Sequence, residues 1–302
     1  MTLSTARLLV ILTAMLGTSV ALAAERTYDK RLDAPPGGHL TFRSDVGSVT
    51  LVGRDASQVV VHADLEGSES FLSRLHISAE QTPTGVTISA RMDHDGWHDW
   101  FNVGFTRVRF TIEVPRNYPV DLRTAGGGLD LRDLNASLHA ATSGGGVLVQ
   151  NIAGAVDVHT SGGSIDAKSL KAGAHLDSSG GGIDVTDSSG DLDIHTSGGS
   201  IHIENDDGKV DADTSGGGIR AQLRSNQGIS LRSSGGSITL LLPQGTHGSI
   251  DAATSGGRVT SEFPLSSTQT TGDSHLVGAI GGGGPAIYLH TSGGSIRIAP
   301  AG

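Results

Sequence analysis

The stretch Thr160-Ser161-Gly162-Gly163-Ser164-Ile165 decides the fold, because close copies of it return every eighteen residues through the middle of the chain. Successive Gly-Gly pairs begin 18, 18, 18, 18, 18, 19, 21 and 37 residues apart. A fixed period of this length is typical of a solenoid, in which each repeat forms one coil stacked on its neighbour. We predict a structural turn at the first glycine of each pair: Gly126, Gly144, Gly162, Gly180, Gly198, Gly216, Gly235, Gly256 and Gly293. Because only glycine adopts positive φ cheaply, we expect positive φ at these corners.

A second period of nine lies within each repeat. Pairs of apolar residues at positions i and i+2 begin every nine residues, as at Ile165 and Ala174. Such pairs indicate two short strands per coil. We therefore predict an all-β fold: a parallel β-solenoid of about nine 18-residue coils with two short strands each, preceded by a β-rich N-terminal region. Ile165, Ile183, Ile201 and Ile219 should stack on one another and point inward.

Three segments follow from composition. Residues 1–24 resemble a signal peptide, with Arg7, a nearly apolar stretch over 8–22 and the small-x-small site Ala21-Leu22-Ala23. An uncleaved membrane anchor is the alternative for this segment. Residues 25–120 hold alternating apolar and polar runs typical of strands and form a β-rich region, either a cap or the start of the solenoid. Residues 121–298 form the repeat region.

The last repeat departs from the period. Gly256 and Gly293 are separated by 37 residues, about two coils, and the interval contains Pro264 and the run Gly281-Gly282-Gly283-Gly284-Pro285. Terminal repeats of solenoids are often atypical because one face meets water. We expect this interval to form a looser, longer coil near the C-terminal cap.

Composition excludes several classes of function. The 302-residue chain has a net charge of −10, which disfavours a nucleic-acid backbone as ligand. It has no cysteine, so disulfides, zinc–thiolate sites, cysteine nucleophiles and a cysteine-linked lipid anchor are excluded. The sequence also lacks the nucleophile-elbow, His-Glu-x-x-His and phosphate-loop motifs of common hydrolases and nucleotide-binding enzymes.

Most of the chain, from about residue 40 to 298, resembles the bacterial "putative adhesin" domain family. The resemblance rests on the strand at 110–115, the segment 120–129, the copies of the 160–165 motif and the closing segment 282–289. It implies a β-solenoid-like protein of the cell surface or envelope. It supplies no catalytic residues.

Two columns of ionisable side chains should run along the coils. His159, Asp177, His195 and Asp213 occupy equivalent positions in successive repeats, and Asp157, His175, Asp193 and Asp211 form a second such series. Two His and two Asp could chelate zinc if they converged. Side chains in a straight ladder point in parallel, however, so we expect a surface stripe of weak charge pairs and no bound metal.

The repeat also resembles the calcium-binding β-roll in its length. The Asp residues that follow the glycines, Asp166 and Asp184, fall one place early for that motif, and the equivalent positions in the next coils are His202 and Arg220. Oxygen ligands therefore cannot line every turn. We expect solvated Asp on an outer face and no calcium or cofactor.

One cluster stands apart from the repeat. The segment 93–101 gathers two His, three Asp, two Trp and one Phe. Trp97, His98, Asp99 and Trp100 form a candidate ligand surface, since an exposed Trp beside carboxylates suits stacking on a sugar or peptide. Alternatively, the aromatic side chains fold back to cover the end of the solenoid.

These observations predict a non-catalytic, exported protein of the periplasm or cell surface that serves as an adhesin-like scaffold or binding module. Its partner would be an envelope protein or glycan, with no nucleic acid and no integral membrane segment after signal cleavage. Two alternatives stay open. The chain could be a polysaccharide-active β-helix enzyme that uses Asp193 or Asp211, or a structural protein that self-associates through the solenoid ends.

Overall fold

Two long β-sheets face each other across a single apolar core. The computed structural model describes residues 24–93 and 106–301, which form one sheet of 13 strands (sheet A) and one of 14 strands (sheet B). The one helix among these residues is the six-residue α1 (Glu69–Arg74). The predicted signal peptide lies outside the described residues, apart from Ala24. In the described part of the chain, no helix has the length and apolar composition needed to cross a bilayer.

The repeat region alternates between the two sheets, so that each coil contributes one strand to each. The sheet B strands are β8 (Val120–Thr124), β10 (Leu138–Thr142), β12 (Val156–Thr160), β14 (Ala174–Ser178), β16 (Leu192–Thr196), β18 (Val210–Thr214) and β20 (Ile229–Ser233). The sheet A strands are β9 (Leu129–Leu134), β11 (Val147–Ile152), β13 (Ile165–Leu170), β15 (Ile183–Thr186), β17 (Ile201–Asp206), β19 (Ile219–Leu223) and β21 (Ile238–Leu242). Neighbouring strands in each sheet pair in parallel.

Equivalent residues of successive coils are register partners, as the eighteen-residue period predicts. Ile165 pairs with Ile183, Ile183 with Ile201, and Ile201 with Ile219. All four side chains are at most 2% exposed. Burial of each such side chain contributes about 1.5–3 kcal/mol, so the stacked column is one substantial part of the apolar core. These strands form seven coils, and two further coils near the C-terminus bring the number in residues 106–301 to nine. The predicted fold class, a parallel β-solenoid, is therefore confirmed.

Glycine is needed at the Gly-Gly corners for a steric reason, and not for the positive φ that we expected. The nine first glycines lie in the bends that lead from sheet B to sheet A, but none of them has positive φ. Among the second glycines only Gly127 does, at 98°. The constraint is instead steric. A Cβ at Gly163 would collide with the carbonyl group of Gly145 in the preceding coil, and the same clash recurs along the stack.

A hydroxyl group at the end of each sheet B strand fixes the corner. Thr160 Oγ1 donates to the Gly145 carbonyl at 2.9 Å and accepts from Gly163 N at 3.2 Å. Thr or Ser takes the same role at positions 142, 178, 196, 214, 233, 254 and 291. The Thr/Ser-x-Gly-Gly motif thus couples each coil to the coil before it.

Positive φ is found instead at the ends of the sheet A strands. Five non-glycine residues spaced by eighteen have φ between 54° and 62°: Asp133, Asn151, Ser169, Asp187 and Asn205. Asn and Asp tolerate this conformation better than most residues. The positive φ directs the next residue into the core. Leu134 and Ile152, which follow Asp133 and Asn151, are fully buried.

The N-terminal segment extends the same two sheets. Its strands are β1 (Ala24–Asp33), β2 (His39–Ser44), β3 (Ser48–Arg54), β4 (Gln58–Gly67), β5 (Leu75–Thr82), β6 (Gly85–Met92) and β7 (Arg107–Pro115). β2 pairs in parallel with β8, and β3 with β9. The outermost strands are antiparallel: β4 joins β1 to β7, and β5 pairs with β6.

The C-terminal end differs from the expected loose coil. Its strands are β22 (Gly248–Thr254), β23 (Val259–Ser261), β24 (Leu265–Thr271), β25 (His275–Ile280), β26 (Ala286–Thr291) and β27 (Ile296–Pro300). The last coil, β26 with β27, lies between the coil of β20 and β21 and the coil of β22 and β23. β24 and β25 form an antiparallel hairpin on β22. The gap of 37 residues therefore holds a hairpin that lets the chain return between two earlier coils.

Candidate functional site

The outer face of sheet B carries the two predicted columns of ionisable side chains. The first column is Asp121, His139, Asp157, His175, Asp193 and Asp211, and the second is Arg123, Ala141, His159, Asp177, His195, Asp213 and Arg232. We call these two columns the His–Asp face. The inward residues of each strand are buried, which forces the residues between them outward. The columns are therefore a direct consequence of the core pattern.

Neighbouring side chains of the His–Asp face contact one another in both directions. Across strands, His139 Nδ1 lies 2.9 Å from Asp157 Oδ2, and His175 Nδ1 lies 3.1 Å from Asp193 Oδ2. Along one strand, His159 Nε2 lies 2.8 Å from Asp157 Oδ1. The rings of His159 and His175 meet edge to face, with centroids 5.3 Å apart. The expected surface stripe of charge pairs is thus a network that connects the two columns.

Arginines close both ends of the His–Asp face. Arg232 Nη2 donates to Asp211 Oδ1 at 2.8 Å, and its Nε lies 3.5 Å from Asp213 Oδ2. At the other end, Arg43 Nη2 and Arg123 Nε lie 3.4 and 3.5 Å from the carboxylate of Asp121. The positive charges offset part of the acidic character of the columns.

An open groove of about 420 Å³ runs beside the second column, along the bends that lead to sheet A. Arg123, His159 and Asp177 line one side, and the bend residues Ser143, Ser161 and Ser179 line the other. Ala141 leaves room between the larger side chains. The groove offers hydroxyl, carboxylate, imidazole and guanidinium groups at the spacing of adjacent strands, about 4.8 Å.

Three side chains of the face converge although they come from both columns. One ligating atom from each of Asp157, His159 and His175 lies within 4.8 Å of the others. The group does not follow from either column alone, because His159 lies two residues after Asp157 in the second column, whereas His175 lies eighteen residues after Asp157 in the first. That offset could have been found in the sequence by pairing neighbouring coils.

The other candidate residues from the sequence lie elsewhere. Trp97, His98, Asp99 and Trp100 lie outside the described residues. Asp166 and Asp184 are exposed on the outer face of sheet A and are register partners. The nine turn glycines line the corner between the two sheets, next to the groove at Gly144, Gly162 and Gly180.

Comparison with known proteins identifies a family and several solved structures. The family model described as "Toastrack DUF4097" matches residues 39–299. No curated protein matches the chain. A "putative adhesin" from Bacteroides fragilis is 11% identical with a TM-score of 0.40, over 91% of this chain and 97% of that one. A "putative cell adhesion protein" from Clostridium sporogenes is 12% identical with a TM-score of 0.26, over 92% and 100%. A "putative lipid binding protein" from Parabacteroides distasonis is 14% identical with a TM-score of 0.33, over 91% and 97%.

Proposed function

The chain belongs to the Toastrack DUF4097 family, and we propose that it is a non-catalytic, exported binding module of the cell envelope. Its binding face would be the His–Asp face together with the adjacent groove. The ligand class is an envelope protein or glycan. The observation that carries the proposal is the groove of about 420 Å³, which lies open beside a rigid array of polar side chains.

The regular backbone favours binding through this face. The strands that carry the two columns are held by parallel pairing on both sides, so the backbone positions that carry the polar groups are fixed before a ligand arrives. A preorganised surface loses less conformational entropy on binding than a flexible one. The repeated spacing suits an extended ligand, such as a polymer chain or a strand-like peptide.

Exposure of the face favours binding over catalysis. The side chains of His159 and Asp177 are 41% and 38% exposed, and the groove is open to water. Acid–base and covalent catalysis usually need a site that excludes water and holds its groups in an enclosed cavity. The resemblance to the adhesin domain family and the leader-like residues 1–24 support an exported location.

Binding should be tested with purified protein on a glycan array and against fractionated envelope proteins. Ala141→Trp would fill the groove, and Arg123→Gln would remove its positive charge. The matched control is Gln150→Trp, on the outer face of sheet A in the same coil as Ala141. Loss of binding in both groove variants, with binding retained in the control, would support the proposal. Absence of any retained glycan or envelope protein would overturn it.

The segment with the two tryptophans is a separate candidate and needs its own variants. Trp97→Ala and Trp100→Ala should leave binding unchanged if the groove is the site. If only these variants lose binding, the ligand binds at residues 97–100 and the groove is not the site.

A polysaccharide-active enzyme is the second candidate function. Asp193 and Asp211 are direct register partners, so two carboxylates stand on adjacent strands, and glycosidases use a pair of carboxyl groups. However, Asp193 is 70% exposed, and Asp211 accepts from Arg232 at 2.8 Å. We therefore expect no turnover of envelope glycans. Turnover that disappears in Asp193→Asn or Asp211→Asn would establish the enzyme instead.

Association through the solenoid ends has less support. The edge strand β1 carries Glu25, Arg26, Asp29, Lys30 and Arg31, and charged side chains on an edge strand oppose pairing with another sheet. We expect a monomer whose sedimentation coefficient is independent of concentration. A coefficient that rises with concentration would favour end-to-end assembly.

A further inference from the structure

Asp157, His159 and His175 form a compact group of three metal-ligating side chains. Asp157 and His159 lie two residues apart on β12, and His175 is the register partner of Asp157 on β14. One nitrogen or oxygen atom from each lies within 4.8 Å of the others. Zinc holds nitrogen and oxygen ligands at about 2.0–2.2 Å, so side-chain rotation would have to bring the three atoms closer together around an ion.

The contact between Asp157 and His159 places a carboxylate oxygen and a ring nitrogen close enough to share one cation, either a proton or a metal ion. Asp157 Oδ1 is shielded from solvent and has no hydrogen-bond partner, although His159 Nε2 lies only 2.8 Å away. In a neutral imidazole whose proton is on Nδ1, Nε2 carries a lone pair. In that tautomer the lone pair of Nε2 and the carboxylate oxygen repel each other, and a metal ion bound to both atoms would remove the repulsion, as a proton on Nε2 also would.

Carboxylates and a third histidine surround the group as an outer layer. His175 Nδ1 lies 3.1 Å from Asp193 Oδ2, which leaves Nε2 as the ring nitrogen for a metal. His139 Nδ1 lies 2.9 Å from Asp157 Oδ2 and holds that oxygen away from the group. In metal-binding histidines, the N–H group of the second ring nitrogen usually donates a hydrogen bond to a carboxylate or carbonyl oxygen. This bond fixes the tautomer and orients the ring.

We propose that Asp157, His159 and His175 bind one divalent transition-metal ion of the zinc class. Two imidazole nitrogens and one carboxylate oxygen suit zinc, whereas calcium and magnesium prefer six or more oxygen ligands. The fourth position faces solvent, since each of the three side chains is 41–45% exposed. Water or a donor atom from a ligand would complete the coordination. The site departs from our expectation of no metal, which considered each column separately.

Metal binding can be tested separately from the proposed binding function, although the three residues belong to the His–Asp face and His159 also lines the groove. The ion could stabilise the His–Asp face, or it could hold a ligand, and the test below measures only the ion. Failure to bind zinc would therefore leave the envelope-binding proposal intact, and failure to bind a glycan or protein would leave the metal site intact.

The test uses metal-depleted full-length protein titrated with Zn²⁺ by isothermal titration calorimetry. We expect one ion per chain, no binding of Ca²⁺, and a loss of zinc affinity of at least about 100-fold in His159→Ala and in His175→Ala. Asp193→Asn, which alters only the outer layer, should weaken binding about 10-fold. The controls are His195→Ala, in the same column as His159, and His202→Ala on sheet A; both should bind zinc as the wild type does.

Two further measurements separate binding at this site from loss of fold. Zn²⁺ should raise the melting temperature of the wild type and of both controls, but not that of the ligand variants. Co²⁺, as a spectroscopic substitute, should give the visible absorption of a four-coordinate site only when both histidines are present. The proposal is wrong if the wild type does not bind zinc, or if the controls lose as much affinity as the ligand variants.

Discussion

The buried hydroxyl of Ser188 donates to Oδ1 of the buried carboxyl of Asp206 at 2.8 Å, across two neighbouring coils. Both residues are 0% exposed, and Gly208 N donates to the second carboxyl oxygen at 3.0 Å. In the preceding coils the same inward position is held by Leu134, Ile152 and Leu170. Two polar side chains therefore interrupt an apolar column and satisfy each other.

Burial raises the pKa of Asp206 from 3.8 to about 6, against the opposing effect of its hydrogen bonds. The folded chain then binds this proton more tightly than the unfolded chain. The contribution of Asp206 to the free energy of unfolding is greatest below about pH 4 and falls as pH rises through about 6. Asp206→Asn stays neutral and keeps a hydrogen bond to Ser188. Relative to this variant, the wild type should lose stability between pH 4 and 7 in urea unfolding. A difference that does not change with pH would contradict the assignment.

The two glycines of one corner should respond differently to substitution. A Cβ at Gly163 would collide with the Gly145 backbone, whereas at Gly162 the nearest atoms would be 3.4 Å away. Gly163→Ala should therefore lower the free energy of unfolding by about 1–3 kcal/mol or more, because backbone atoms of the preceding coil must move. Gly162→Ala serves as the matched control and should cost less than about 1 kcal/mol. Equal losses in thermal unfolding would show that stacking distance does not select glycine here.

The corner hydroxyl groups can be tested without a change in side-chain shape. Thr160→Val removes the donor to the Gly145 carbonyl and the acceptor for Gly163 N. The loss of both bonds at a buried site should cost about 1–3 kcal/mol in urea unfolding. Thr186→Val, on the half-buried outer face of sheet A, is the control and should change stability by less than about 0.5 kcal/mol. A cost no larger than that of the control would mean that the hydroxyl groups do not couple the coils.

His62 links the edge strand β1 to β4. Its Nδ1 lies 2.8 Å from Asp29 Oδ1 and its Nε2 lies 3.0 Å from Asp64 Oδ1. The hydrogen bond to Asp29 raises the pKa of His62 above 6.5, with a smaller contribution from Asp64. The stabilisation is present below pH 6.5 and is lost as pH rises through the folded pKa; it is small because the pair is exposed. In an NMR titration, Asp29→Asn should lower the pKa of His62, whereas Asp33→Asn, whose carboxylate accepts from Gln58, should not. An unchanged pKa in Asp29→Asn would refute the pairing.

The period of the sequence predicts the parts of the fold that depend on neighbouring coils. The stacking of Ile165 on Ile183 and the alignment of His159 with Asp177 both follow from a constant offset of eighteen. The positive φ at Asn151 is less apparent, because Asp, Asn and Ser alternate at that position and are common elsewhere. The prediction that the paired glycines adopt positive φ was also wrong. A steric clash between coils and a turn with positive φ both select glycine, so the sequence alone does not distinguish them.

The constant offset does not predict which side chains of neighbouring coils contact one another. The group of Asp157, His159 and His175 depends on side-chain rotamers and on the lateral spacing of strands, neither of which a column alignment contains. The pairing of Ser188 with Asp206 required knowledge that position 206 faces inward after a left-handed residue. The insertion of the last coil between two earlier ones joins segments with an irregular offset.

The inserted last coil should hold the C-terminal end of the solenoid together. β22 pairs only with β26 and β25 in the described residues, and β23 pairs only with β27. Truncation after residue 285 removes β26 and β27, so residues 248–261 should lose their protection in hydrogen exchange while residues 138–214 keep theirs. Leu289→Ala, at a fully buried position of β26, should show the same pattern more weakly if the truncated chain does not fold. Protection that persists in residues 248–261 of the truncated chain would mean that other pairing, such as that of β22 with β25, is sufficient and that the inserted coil is not required.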